Sequence, residues 1–132
     1  MRPALQSVRA AAAGNEMRDV SGEHEDAIPV LVECANVAPL FIDYCMYWAA
    51  LSALTLEDPA AAEAYAATVE PRAVFGPRSR HVRGRALAAA DRHADAVRVF
   101  EDFIADHPDA WYRNAVEFDL AASQVALGDF DA

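Results

Sequence analysis

The chain has 132 residues, a formal net charge of −10 and 55% hydrophobic residues, with only five glycines. This length supports one continuous core rather than two, and the composition excludes a disordered chain and favours helices. The acidic excess excludes wholesale binding to nucleic acid or to an anionic membrane surface, because both need a field of the opposite sign.

All eleven basic residues are arginine. A lysine-free set fits a GC-rich coding sequence and suggests a bacterial source. Cys34 and Cys45 lie in apolar runs without CxxC spacing or a nearby histidine pair. They read as small buried hydrophobes in a reduced compartment, and no metal or cofactor site is legible. Residues 1–13 lack a hydrophobic signal core, since Arg9 interrupts them and Asn15-Glu16 follows. No segment reaches the roughly 18 apolar residues of a membrane span. Residues 37–56 come nearest but contain Asp43. A cytoplasmic protein is expected.

In chain order, the first helix is expected over about residues 3–20, with Gly14 and Met17 inside it. Gly22-Glu23-His24-Glu25-Asp26-Ala27 then reads as a turn entering a second helix, with His24 on a solvated polar edge between two glutamates. Pro29 would remove a hydrogen bond and clash with the preceding turn, so this helix should start near Asp26 or kink at its beginning. After Pro39, Phe41, Cys45, Trp48, Ala49 and Ser52 keep helical spacing to about Leu56. That helix is apolar on most faces and should be buried between neighbours. Asp58 caps a helix whose first residue is Pro59, and Pro71 closes it early.

Ala73-Val74-Phe75-Gly76-Pro77 reads as a connection with Phe75 tucked against the stack. Residues 84–90 are helical and Asp91-Arg92-His93 is a polar break. Residues 94–105 carry Val97, Phe100, Phe103 and Ile104 at three- and four-residue spacing, and Asp106-His107-Pro108 ends the run. A last helix is expected from Asp109 or Ala110 through Trp111, Ala115, Phe118, Ala122 and Val125 to Leu127. Gly128-Asp129-Phe130-Asp131-Ala132 then repeats a turn.

Ala96, Phe100 and Pro108 keep an alanine, +4, +12 spacing that recurs as Ala27, Leu31 and Pro39 and, in part, as Ala61 and Tyr65. The alanines are 34 and 35 residues apart. This pattern resembles the second helix of the tetratricopeptide repeat, A-x3-F followed by P, with Gly84 and Leu87 at the glycine and tyrosine places of the first helix. The resemblance implies an all-α fold, a tetratricopeptide-like right-handed superhelical array of antiparallel helix pairs. About three and a half repeats would form one domain, with approximate units 3–39, 40–71, 77–108 and an incomplete 110–132. It also implies a concave groove lined by the first helix of each pair, holding a peptide or a partner helix, without catalysis. Members that bind chaperones clamp a terminal carboxylate with lysines, asparagines and an arginine. With no lysine, and with Asn15, Asn36 and Asn114 off those places, that specificity does not carry over.

Charge segregation gives the groove a candidate site. Arg72, Arg78, Arg80, Arg83 and Arg85 fall within residues 71–90, which contain no acid, so this span is +5 and the remainder −15. Arg78, His81 and Arg85 share a helix face and are the candidate peptide-binding residues, suited to carboxylate because the guanidinium donates paired hydrogen bonds. The plainer alternative is pairing with surplus acids such as Glu101, Asp102, Asp106 or Glu117. Tyr44, Tyr47 and Trp48 read either as core or as a small-molecule pocket. Trp111 and Phe118 mark an uncovered edge for a homodimer, for another domain or for continuation of the array.

His24, His81, His93 and His107 are dispersed without nucleophile partners or motif spacing, so no catalytic residue is assigned. His107 reads as a helix-end residue. The second functional class is a regulatory or sensor domain of a larger signalling or transcription protein that binds a small anionic effector.

Overall fold

The computed structural model describes residues 21–37 and 41–128. The helix expected over residues 3–20, Pro39 and the closing residues 129–132 lie outside the described residues. Among the described residues six helices run in order: α1 (Ser21–Val37), α2 (Ile42–Thr55), α3 (Pro59–Ala67), α4 (Gly76–Ala89), α5 (His93–Asp106) and α6 (Arg113–Ala126). No strand occurs among the described residues, and the fold is all-α. No described helix is long and apolar enough to cross a membrane.

Local chemistry explains most boundaries. Asp58 Oδ1 accepts the Ala61 N–H at 3.2 Å and Pro59 opens α3, whose nine residues make it the shortest helix described. The three helices α2, α4 and α6 stop in one manner: the residue after each C-cap is left-handed, Glu57 at φ 61°, Asp91 at 62° and Gly128 at 81°. After α2 and α4, the next amide reaches back into the helix. Asp58 N–H donates to Ala53 O at 2.9 Å, and Arg92 N–H donates to Leu87 O at 2.9 Å. Both are Schellman closures, made here without glycine.

These stops correct the register of the repeat. Ala62 and Ala96, each five residues past a left-handed stop, have no solvent exposure, and neither does Ala27. Ala61 is only half-buried. The alanine of α3 that is fully buried, as Ala27 and Ala96 are, is therefore Ala62, one residue later than the spacing argument placed it.

Every helix packs on the next, and in addition α2 meets α4 and α4 meets α6; no other described helices are in contact. Thus α2, α4 and α6 form one row, with α1, α3 and α5 against it. Within the α4–α5 pair the chain reverses. Arg80 near the start of α4 bonds Asp106 at the end of α5, while Gly84, further along, meets Phe100. A Cβ on Gly84 would lie 2.8 Å from Phe100 Cδ1 and closer still to Cε1, so only glycine lets this ring seat. Along the row the helices run in the same sense: Ala50 packs with Val82 and Ala53 with Ala86. The core has two main ends. One gathers Leu31, Cys45, Met46 and Val69, and the other Leu87, Phe100, Phe103 and Val116.

Two expectations are overturned. Residues 22–27 are not a turn: α1 starts at Ser21, earlier than Asp26, and continues through Pro29. Ala27 and Leu31, both fully buried on either side of the proline, hold this helix against α2 by packing, which offsets the missing backbone bond. His24 is accordingly not a solvated edge. It is 5% exposed, with Nδ1 2.8 Å from Ser52 Oγ on α2. The last helix starts at Arg113, not at Asp109 or Ala110. Residues 109–112 are a turn, closed by Ala110 N–H to His107 O and Arg113 N–H to Ala110 O, with Arg113 Nη1 donating to Pro108 O at 3.2 Å.

Candidate functional site

The turn that opens α4 and the turn that opens α6 converge on one arginine. Phe75 ends the connection from α3 and seats against α2, its ring centroid 5.5 Å from Tyr44 and 5.0 Å from Tyr47. It is tucked on the stack, as its position between a short helix and a Gly-Pro step suggests. One turn on, the Arg78 guanidinium lies 5.8 Å from the Phe75 ring, 5.6 Å from Trp111 and 5.9 Å from Tyr112. Three aromatic rings thus surround a cation that no carboxylate among the described residues pairs with.

Next along the same face, His81 Nε2 is 2.6 Å from Asp119 Oδ2 on α6, and its ring stacks on Tyr112 with centroids 6.1 Å apart. Asp119 fixes this imidazole, so His81 joins α4 to α6. Arg85, a further turn along, is exposed.

These groups border an open cleft of about 210 Å³ on the α2–α4–α6 row. Tyr47 and Leu51 supply the α2 wall, Arg78, His81, Val82 and Arg85 the α4 floor, and Trp111 with Tyr112 the far wall. None of these lining residues is acidic. Burial pushes both the Tyr47 and Tyr112 phenols above the ordinary range; Arg78 pulls each back, and Arg85 also pulls on Tyr47. The positive field of the two arginines therefore reaches across the cleft.

The pairing alternative holds for two other members of the basic span, Arg80 and Arg83, while Arg72, like Arg78 and Arg85, has no ion pair among the described residues. Arg80 Nη1 is 2.8 Å from Asp106 Oδ2, and Arg83 Nε is 3.7 Å from Glu63 Oε2. The Arg80 hydrogen bond is the main reason the Asp106 carboxyl titrates below its ordinary range. Glu117 pairs instead with Arg113 at 2.8 Å. Arg78 and Arg85 form no ion pair among the described residues. The bordering face therefore keeps its charge while its neighbours are neutralised.

Arg78, His81 and Arg85 are thus brought together, with Trp111 added to them. Phe118 is not part of this cleft. It lies 74% exposed on α6, with Val125 56% exposed two turns further along the same face. Tyr44 and Trp48 pack against the core cluster, while Tyr47 serves both the core and the cleft. Sequence reasoning missed Asp119 and Tyr112 as partners of His81; no local signal marks a pair 38 residues apart. His107 is the C-cap of α5, at the helix end expected for it. No group of three or more metal-ligating side chains occurs among the described residues.

No family model matches the chain, and no curated protein matches its sequence.

Proposed function

We propose that this chain is a tetratricopeptide-like interaction module that binds an acidic or carboxylate-terminated peptide segment along the α2–α4–α6 row. The fold part of this reading draws support from the packing. Consecutive helices pair, alternate helices line one row, and contacts such as Arg78 on Tyr112 join positions offset by roughly one 34-residue repeat. A right-handed superhelical array of such pairs is the architecture this pattern fits.

One observation carries the binding part: among the described residues Arg78 and Arg85 have no carboxylate partner and flank one aromatic-walled cleft, while Arg80 and Arg83 beside them are paired. An incoming carboxylate would meet the Arg78 guanidinium, already held among three rings, and an apolar side chain next to it would lie on Tyr47 or Trp111. Drug-sized ligands occupy enclosed pockets of about 300–1,000 Å³. The smaller, open cleft suits a single anchor residue of a longer chain and favours a peptide over the second reading, a sensor domain for a free anionic effector. The proposal involves no catalysis and suits a cytoplasmic setting. Phe118 and Val125 on α6 serve in it as an edge for a second copy or a following repeat.

A peptide array spanning acidic, neutral and basic C-termini tests the site. Acidic or carboxylate-ending peptides should bind the wild-type chain and lose at least tenfold in affinity to R78A/R85A, with R80A near wild type. Equal losses in both variants, or binding indifferent to peptide charge, would sink the cleft assignment. A melting temperature raised by small dicarboxylates or phosphate but by no peptide would instead favour the effector reading. Sizing chromatography over a concentration series, with F118E as control, reports on the α6 edge.

A further inference from the structure

Cys34 on α1 and Cys45 on α2 lie outside the cleft, in and against the core cluster of the α1–α2 contact. Their sulfurs are 2.6 Å apart across the α1–α2 contact. A disulfide bond is about 2.04 Å long, so closure asks the two sulfurs to approach by roughly 0.6 Å. The surroundings give the two thiols different tasks. Cys45 has no solvent exposure and sits in the core cluster with Leu31 and Met46, whereas Cys34 is partly exposed and within reach of a reagent. Burial, reinforced by Cys34, pushes the Cys45 thiol up to about 12, which leaves Cys34 as the group that meets an oxidant first.

The place of the pair in the fold gives the bond a consequence. Among the described helices α1 packs on α2, so this one interface holds it to the rest of the fold. A covalent tie at Cys34 and Cys45 would fasten this end of the array to the helix that also carries Tyr47.

We infer that Cys34 and Cys45 form a reversible thiol–disulfide site that locks α1 onto α2, with a low-molecular-weight disulfide of the glutathione class as its oxidant. The Cys34 thiolate attacks one sulfur of the oxidant and expels the other as a thiolate, leaving a mixed disulfide on Cys34. Cys45 then attacks the Cys34 sulfur, the internal S–S bond forms, and the second small thiol departs. Two electrons pass from the protein to the oxidant, and the two protons leave on the two small thiols. In a reducing compartment such a bond is transient, which suits a sensor rather than a permanent staple.

The experiment equilibrates the full chain in mixtures of reduced and oxidised glutathione. It then counts free thiols and maps the non-reduced digest by mass spectrometry. Both thiols should disappear together in monomeric protein, with a Cys34–Cys45 linked peptide that dithiothreitol abolishes. The oxidised chain should melt higher by on the order of 10 °C, and exchange of α1 amides should slow. Cys34→Ser should leave Cys45 resistant to the oxidant, and Cys45→Ala should stop the reaction at a glutathione adduct on Cys34. Two thiols that stay free across the glutathione range, a Cys34 adduct that persists in wild type, or links formed only between chains would each overturn the inference. The digest of wild-type protein decides it even if either variant fails to fold, and no outcome depends on what the cleft binds.

Discussion

The α4–α5 pair and the α1–α2 pair lie in the two main core clusters, and different chemistry joins them. In α4–α5 a glycine receives a phenylalanine ring, and the contact is apolar and close. In α1–α2 the apolar contacts of Ala27 and Leu31 are joined by a buried histidine on a serine and by two facing thiols. In the first kind of interface the sizes of two facing residues set the helix approach, with the Arg80–Asp106 pair towards one end. The second depends on polar groups that must find each other across 28 residues of chain. Helix pairs of one architecture can therefore be specified by volume at one end and by polar pairing at the other.

The largest effect is expected in the volume-specified pair. Phe100→Ala removes a fully buried ring and should cost about 3–5 kcal/mol in denaturant unfolding. Gly84→Ala should cost roughly 1–3 kcal/mol through overpacking. Adding Phe100→Leu to Gly84→Ala should recover part of that loss, since the clash is with the ring; strict additivity in the double-mutant cycle would contradict the seating of Phe100 on Gly84.

At the other end, Ser52→Ala removes the hydroxyl that His24 Nδ1 approaches and should destabilise by about 1–2 kcal/mol. Faster amide exchange should be concentrated in α1 and α2. A uniform change along the chain would show that this contact has no local part in docking α1.

Alkaline titration separates the two ends again. The folded-state pKa of Cys45 is raised, so the protonated thiol favours folding fully below the ordinary thiol range, about pH 8.5. That contribution is lost as pH rises from there towards about 12. Under reducing conditions the melting temperature should fall from pH 8 to 11, and Cys45→Ala should flatten the early part of the fall. The raised phenols of Tyr47 and Tyr112 act in the same direction at higher pH.

The smallest expected effect is a gain. Asp91 holds a left-handed conformation that costs a side-chain-bearing residue roughly 1 kcal/mol relative to glycine. Asp91→Gly should therefore raise stability by about 0.5–1 kcal/mol, as should Glu57→Gly, measured by urea midpoint. A loss at both positions would count against the Schellman closures.

Part of the fold was open to reading from the sequence because it is written in local patterns. The cap at Asp58, the proline at Pro59, the polar break before α5 and the three- and four-residue spacing around Phe100 all act within a turn or two. The shared stop after α2, α4 and α6 was hidden, because Glu57 and Asp91 stand where glycine would have announced it. The site was half visible: the spacing of Arg78, His81 and Arg85 puts them on one face whatever surrounds it. Which arginines keep their charge was not visible, since that depends on whether Asp106, Glu63 or Asp119 comes near.

The amino-acid sequence by itself determined an all-helical chain, the residues of its basic face and the helical spacing that carries Phe100, because periodicity and charge are properties of short stretches. Tertiary structure alone decided that α1 runs through Pro29, that His24 is buried on Ser52, that Cys34 faces Cys45 and that Arg78 lies among three rings. Each of these joins groups far apart in the chain, and their free energies exist only once the packing of neighbouring helices has brought the partners together and excluded water.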